Sequence, residues 1–168
     1  MVRHRGIVIV LALIAPGLAA CATQQGMTVD NSAVVNVSPK YRNAIAVRSV
    51  TGGRMMNAMT VMGVENEPLK AALESSLAAS GYLARSGTPK FYVDAEIMNL
   101  DEPLIGLDMD VTADVTYKVS GAGAAATYPI KSTARATYSD SPLGADRVRI
   151  ANERAMQDNI RQFLLALR

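Results

Sequence analysis

Imidazole and thiol each occur once in this chain, at His4 and Cys21. His4 lies in the opening MVRHR, ahead of an apolar run that reads as a removable leader. The rest of the chain then holds no imidazole, and its one thiol stands at its first residue. Ser-His-Asp, Cys-His and His-metal chemistry drop out, and no GxSxG or SxxK motif occurs. No cofactor or metal is expected, and the chain is not expected to be an enzyme. Carboxylates remain. Asp108, Asp110 and Asp114 alternate with apolar residues and share one face of a strand. A carboxylate-dependent hydrolase needs an apolar pocket to raise one pKa, and nothing around these acids supplies it. A Ca²⁺ loop needs a different spacing. The three acids therefore read as a solvated face that could meet a basic partner.

Met55, Met56, Met59 and Met62 form a second cluster. Thioethers suit Cu(I), but no His or Cys supports such a site. Core filling, or an adaptable apolar contact patch, accounts for them more simply. Arg149, Asn152 and Asn159 fall within or beside the apolar stripe of the last helix. They form a candidate buried polar cluster, which must bond backbone groups or a ligand to offset desolvation. The Gly-rich SGAG at 120–123 lies between two strands rather than ahead of a helix, so it reads as a hairpin loop and not a phosphate cradle.

The first 20 residues have the layout of a secretory signal: a basic start, an apolar stretch over 6–15, a Pro16-Gly17 break, then Leu18-Ala19-Ala20-Cys21. The apolar run is short of the ~20 residues that span a bilayer. Small residues followed at once by Cys resemble the lipobox of bacterial lipoproteins. That resemblance implies cleavage before Cys21, a diacylglycerol thioether on its sulfur, and a further acyl chain such as palmitate. Two chains make anchoring stable where one does not. Ala22, rather than Asp, implies sorting to the inner leaflet of the outer membrane, facing the periplasm. A lone Cys also means that no disulfide forms within the chain.

Of the 17 basic residues, Arg3 and Arg5 fall in the leader, leaving 15 against 15 acidic ones. A neutral domain lacks the electrostatic footprint that nucleic acid demands. The apolar fraction of 49% is ample for one folded domain. The expected division is a leader at 1–20, a lipidated tether at 21–41 and a single domain at 42–168. As a coil, a 20-residue tether would hold the domain about 25 Å from the lipid. Residues 33–37 (AVVNV) could instead add an edge strand.

Within the domain, period-two alternation predicts strands over 43–50, 90–100, 107–119 and 128–138. Residues 120–126 read as the turn between the last two. Leu69, Ala72, Leu73, Ser76 and Leu77 share a helical face, predicting a helix over 67–80 with Asn66 as cap and Gly81 at its end. Ser141-Pro142 opens a closing helix with Ser141 as cap and its stripe at Val148, Ala151, Ala155, Met156, Ile160, Phe163, Leu164 and Leu167. The order β-α-β-β-β-α predicts an α+β two-layer sandwich: an antiparallel meander sheet with both helices on one face.

ALESSLAASGYLA, then FYVDAEIMNLDEP, then a long amphipathic strand and a closing helix resemble the small α+β lipoproteins of Gram-negative envelopes. The YajG-like lipoproteins and the lipopolysaccharide-assembly lipoprotein are of this kind. The resemblance is one of layout, and it implies a non-enzymatic envelope role. The expected function is an accessory or assembly and binding module, partnered by the membrane and by an envelope protein. The alternatives are a binder of lipid or another apolar ligand between sheet and helices, and the carboxylate hydrolase.

Overall fold

The structure, a computed structural model, describes residues 21–30, 37–53, 63–103 and 105–168. Its elements are α1 (Gln24–Met27), β1 (Ile45–Thr51), α2 (Asn66–Ala79), β2 (Phe91–Asp101), β3 (Met109–Gly121), β4 (Ala124–Ala136) and α3 (Gly144–Ala166). The strands form one sheet in the order β1-β2-β3-β4. Helices α2 and α3 pack on a single face, so the α+β two-layer arrangement is as expected. The sheet, however, is mixed. β2, β3 and β4 make an antiparallel meander, but β1 runs parallel to β2, with Ile45 beside Phe91. The reason lies in the connection: α2 carries the chain back along the sheet before β2 begins, so both strands start at the same end.

Alternation along β3 produces its burial. Met109, Val111, Ala113, Val115, Tyr117 and Val119 are all buried against the helices. Leu107, expected to open this strand, is outside it and exposed, because pairing with β4 stops at Met109 opposite Ala136. The β3–β4 ladder also runs further than the Gly-rich sequence implied. It closes at Gly121 opposite Ala124, leaving a two-residue turn of Ala122 and Gly123. Both have positive φ, 48° and 77°, the twist a tight hairpin requires.

The two helix starts also differ from expectation. Neither α2 nor α3 has a side-chain cap; Glu65 and Leu143 occupy the cap positions. Asn66 Oδ1 instead accepts from Gly53 N at 2.8 Å, tying down the turn after β1. Ser141 Oγ accepts from Leu143 N at 3.2 Å, organising the lead into α3 from outside it.

The largest departure is the expected tether. Residues 22–30 are not a free coil. They lie in the groove between α2 and α3, with Ala22, Met27 and Val29 buried in the common core. Thr23 caps α1, its side chain accepting from Gly26 N at 3.1 Å. Further along, Tyr41 and Ala44 are buried as well. Most of the 33–37 segment lies outside the described residues; Val37 packs against the core.

Candidate functional site

Cys21 stands where this N-terminal strip begins. Thr23 N and Oγ1 both donate to Glu153 Oε1, at 2.9 and 2.8 Å. Five residues on, Gln157 Nε2 donates to Thr28 O at 2.7 Å, and Val29 N donates to Ser76 Oγ at 2.9 Å. The strip therefore runs along α3 in the same direction as the helix. Cys21 is left near the end where α2 and α3 begin. Ala22 N donates to Gly63 O at 3.4 Å, and Cys21 Sγ lies 4.0 Å from Glu65 Oε1. The thiol is partly exposed. Burial pushes its pKa up, and the carboxylates of Glu65 and Glu102 push it further. An unmodified thiol here would be a poor nucleophile at neutral pH.

Glu153 is the fastening point of this corner. Besides Thr23 it accepts from Arg149 Nη1 at 3.0 and 3.1 Å, an i,i+4 pair along α3. The fit is close: a Cβ on Gly26 would fall 2.2 Å from Glu153 Cδ. Thr23 and Glu153 carry no individual sequence signal. The only hint was a glutamate four residues after Arg149 on an otherwise apolar stripe.

Of the expected polar cluster, Asn152 and Asn159 are buried and Arg149 is half-buried, and the three do not form one site. Arg149 serves the Glu153 corner. Asn152 is fully buried and its Nδ2 donates to Glu102, while its Oδ1 meets no partner. Asn159 lies under the sheet. Its Oδ1 accepts from Tyr117 Oη at 2.9 Å, and its Nδ2 donates to Ala113 O, Ile130 O and Ser132 Oγ at 3.2, 3.1 and 3.0 Å. Ser132 Oγ donates onward to Ala155 O at 2.8 Å. Asn159 thus bonds the middles of β3 and β4, and both ends of its amide are met by the protein's own groups. Burial drives the Tyr117 phenol pKa far up, so this network holds no acid–base group active near neutrality.

Asp110 and Asp114 stand on the outer side of β3, while Asp108 lies in the loop just before it, because β3 begins only at Met109; and the face is not acidic. The β3–β4 register sets Asp110 opposite Arg135 and Asp114 opposite Lys131. Arg135 Nε donates to Asp110 Oδ1 at 2.7 Å and its Nη1 lies 3.5 Å from Asp108. Lys131 Nζ is 3.6 Å from Asp114. The Arg135 guanidinium lowers the Asp110 pKa by direct hydrogen bonding. Arg48 and Asp94 pair in the same way on β1 and β2. The bases come from neighbouring strands, so inspection of one strand could not find them. The face is a mosaic of matched charges. Met55, Met56, Met59 and Met62 lie outside the described residues. Among the described residues no helix is long and apolar enough to cross a membrane, and no cluster of His, Cys, Asp and Glu could hold a metal ion.

No protein-family model matches the chain, and no curated protein matches its sequence. Its likeness to solved structures is one of fold. A Caulobacter crescentus protein described as a putative lipoprotein superposes with a TM-score of 0.51 and 14% identity, over 76% of this chain and 90% of that one. A Xanthomonas campestris protein with the family description DUF330 gives 0.49 and 12%, over 78% and 90%. A hypothetical protein from Chlamydia trachomatis gives 0.48 and 12%, over 73% and 96%. What the chain shares with the Caulobacter protein is the α+β fold.

Proposed function

We propose that this chain is a lipid-anchored envelope protein that acts by binding and not by catalysis. Diacylglycerol on Cys21 holds it in the inner leaflet of the outer membrane, and its body faces the periplasm. The observation that carries this reading is the placement of Cys21. Its side chain reaches solvent at one end of the domain, while the next residue, Ala22, is already buried. A thioether leaving this sulfur displaces nothing in the core. The fold shared with the Caulobacter protein described as a lipoprotein is consistent with it.

Two features favour surface contact over the other readings. Tyr117, Phe163, Leu73, Leu77, Met156 and Ile160 are all fully buried in the space between sheet and helices, where an apolar ligand would have to enter. The acids of the outer face are partly or fully exposed and are paired with Arg135 and Lys131. A sheet face of paired charges suits a partner with its own mixed charges.

The test is labelling with palmitate in cells, followed by fractionation. Wild type should take up label and sediment with membranes, and Cys21→Ser should do neither. Labelling of the Ser variant would overturn the anchor. A hydrolytic activity abolished by neutralising any one of Asp108, Asp110 or Asp114 would overturn the non-catalytic reading.

A further inference from the structure

The end of the domain that carries Cys21 also displays an apolar rim. β2 ends and β3 begins there, β4 ends there, and α3 starts there. The loops joining them expose Ile105 (93%), Leu107 (76%), Tyr138 (62%) and Leu143 (55%). Four of the five large exposed apolar side chains among the described residues are gathered on these two loops. Arg147 holds the loops to each other. Its Nη1 donates to Ser141 O and Pro142 O at 2.8 and 3.0 Å, and its Nη2 to Gly106 O at 3.2 Å. Its guanidinium also sits 5.8 Å from the Tyr138 ring centre. The apolar groups are therefore presented on a braced surface, and the brace is itself buried.

We infer that this rim is a membrane-seating surface, inserted into the leaflet that holds the anchor; the inference rests on the lipidation of Cys21 proposed above. Thr23 is fixed to Glu153, and the chain from Cys21 to Val29 leads away from the start of α3. Glu153 lies nine residues into a helix that begins at Gly144, or about 14 Å at 1.5 Å per residue. Cys21 is two residues nearer that end, so its sulfur stops roughly 10 Å or less short of the rim. No slack chain separates the anchor from the body. With the thioether at headgroup depth, the loops beyond it must enter the headgroup and acyl boundary, the 5–10 Å zone where interfacial apolar groups settle. Glu65 and Glu102 beside Cys21 offer no attraction to anionic lipid. Seating is thus apolar and does not depend on lipid charge.

The sequence contains no Trp, so a single introduced indole reports its own depth. The full chain, expressed with its leader, is purified and reconstituted into phosphatidylcholine vesicles with and without brominated acyl chains. Ile105→Trp is compared with Ala125→Trp, an exposed site beside the β3–β4 turn at the opposite end of the sheet. The emission of Ile105→Trp should shift to the blue and lose more than about half its intensity in brominated vesicles, as expected for a ring at the acyl boundary. Ala125→Trp should be unaffected. If both proteins float with vesicles and Ile105→Trp is not quenched, or is quenched no more than Ala125→Trp, the seating surface is refuted while the anchor stands. An apolar protein partner at the rim gives that same unquenched result in protein-free vesicles. Failure of the chains to float at all refutes the anchor and the seating with it.

Discussion

Asn159→Ala is the substitution that most directly tests the polar seam under the sheet. The Asn159 amide is fully buried, accepting from Tyr117 and donating to two strand carbonyls and Ser132. Alanine leaves the Tyr117 hydroxyl without its acceptor, and an orphaned buried polar group costs about 1–3 kcal/mol. The lost bonds to Ala113 O and Ile130 O together add about 1 kcal/mol, taking the low end of the usual net value of about 0.5–1.5 kcal/mol for each. The expected loss is about 2–4 kcal/mol, a large part of the ~5–15 kcal/mol that holds a domain together. Tyr117→Phe alone should cost about 1–2 kcal/mol, because it strands the amide oxygen instead. Joining the two substitutions removes both ends of one bond, so the double variant should be more stable than the sum predicts by about 0.5–3 kcal/mol. Urea titrations followed by far-UV circular dichroism measure all four proteins. Additivity within about 0.5 kcal/mol would refute the argument, since it would mean the two groups do not sense each other. Asn159→Asp should be worse than Asn159→Ala, because it replaces a donor facing three oxygens with an anion.

Other perturbations follow from the same contacts. Ala122→Gly should stabilise the protein by about 0.5–1 kcal/mol in thermal or urea unfolding, since an L-residue at positive φ costs about 1–2 kcal/mol and glycine returns part of that through the unfolded chain. Gly121→Ala should destabilise it, because the new Cβ would lie 2.1 Å from Lys90 O at a φ of 147°. Leu73→Ala and Val111→Ala, both at fully buried positions, should each cost about 1–5 kcal/mol in the same assay. Glu153→Ala should raise amide hydrogen exchange across residues 22–29 before it affects β2 and β3, since Glu153 is what pins Thr23; uniform protection would refute that role. Asp94, held by Arg48, and Asp140, held by Arg154, both have pKa values lowered by those guanidinium groups. Depressed carboxylates contribute stability that is fully present above the unfolded value of about 4 and is lost as pH falls through the folded one. Unfolding free energy should therefore fall below about pH 4, and Arg48→Met should flatten the part of that slope belonging to Asp94.

The sequence exposed the parts of the fold that repeat and hid the parts that do not. β3 could be read because alternation over Met109–Gly121 leaves one face no alternative to burial. Helices α2 and α3 could be read for the same reason at a different period. The parallel pairing of β1 with β2 could not, because strand direction depends on where a helix returns the chain and not on the strand's own residues. The acids of β3 were visible as a row, yet their electrostatic character was decided by Arg135 and Lys131, which reach them only through the β3–β4 register. The N-terminal strip misled for a third reason. Its composition is that of a linker, with Thr, Gln and Gly, and only Met27 and Val29 carry enough apolar surface to enter the core. What fixes it is a set of hydrogen bonds to Glu153, Gln157 and Ser76, residues that look like ordinary helix positions until two helices present a groove. That groove decides the working geometry. Under the lipidation proposed for Cys21, a coil after it would let the domain drift about 25 Å from its anchor in any orientation, whereas the docked strip would hold one end of the domain against the lipid and every other surface at a fixed height above it.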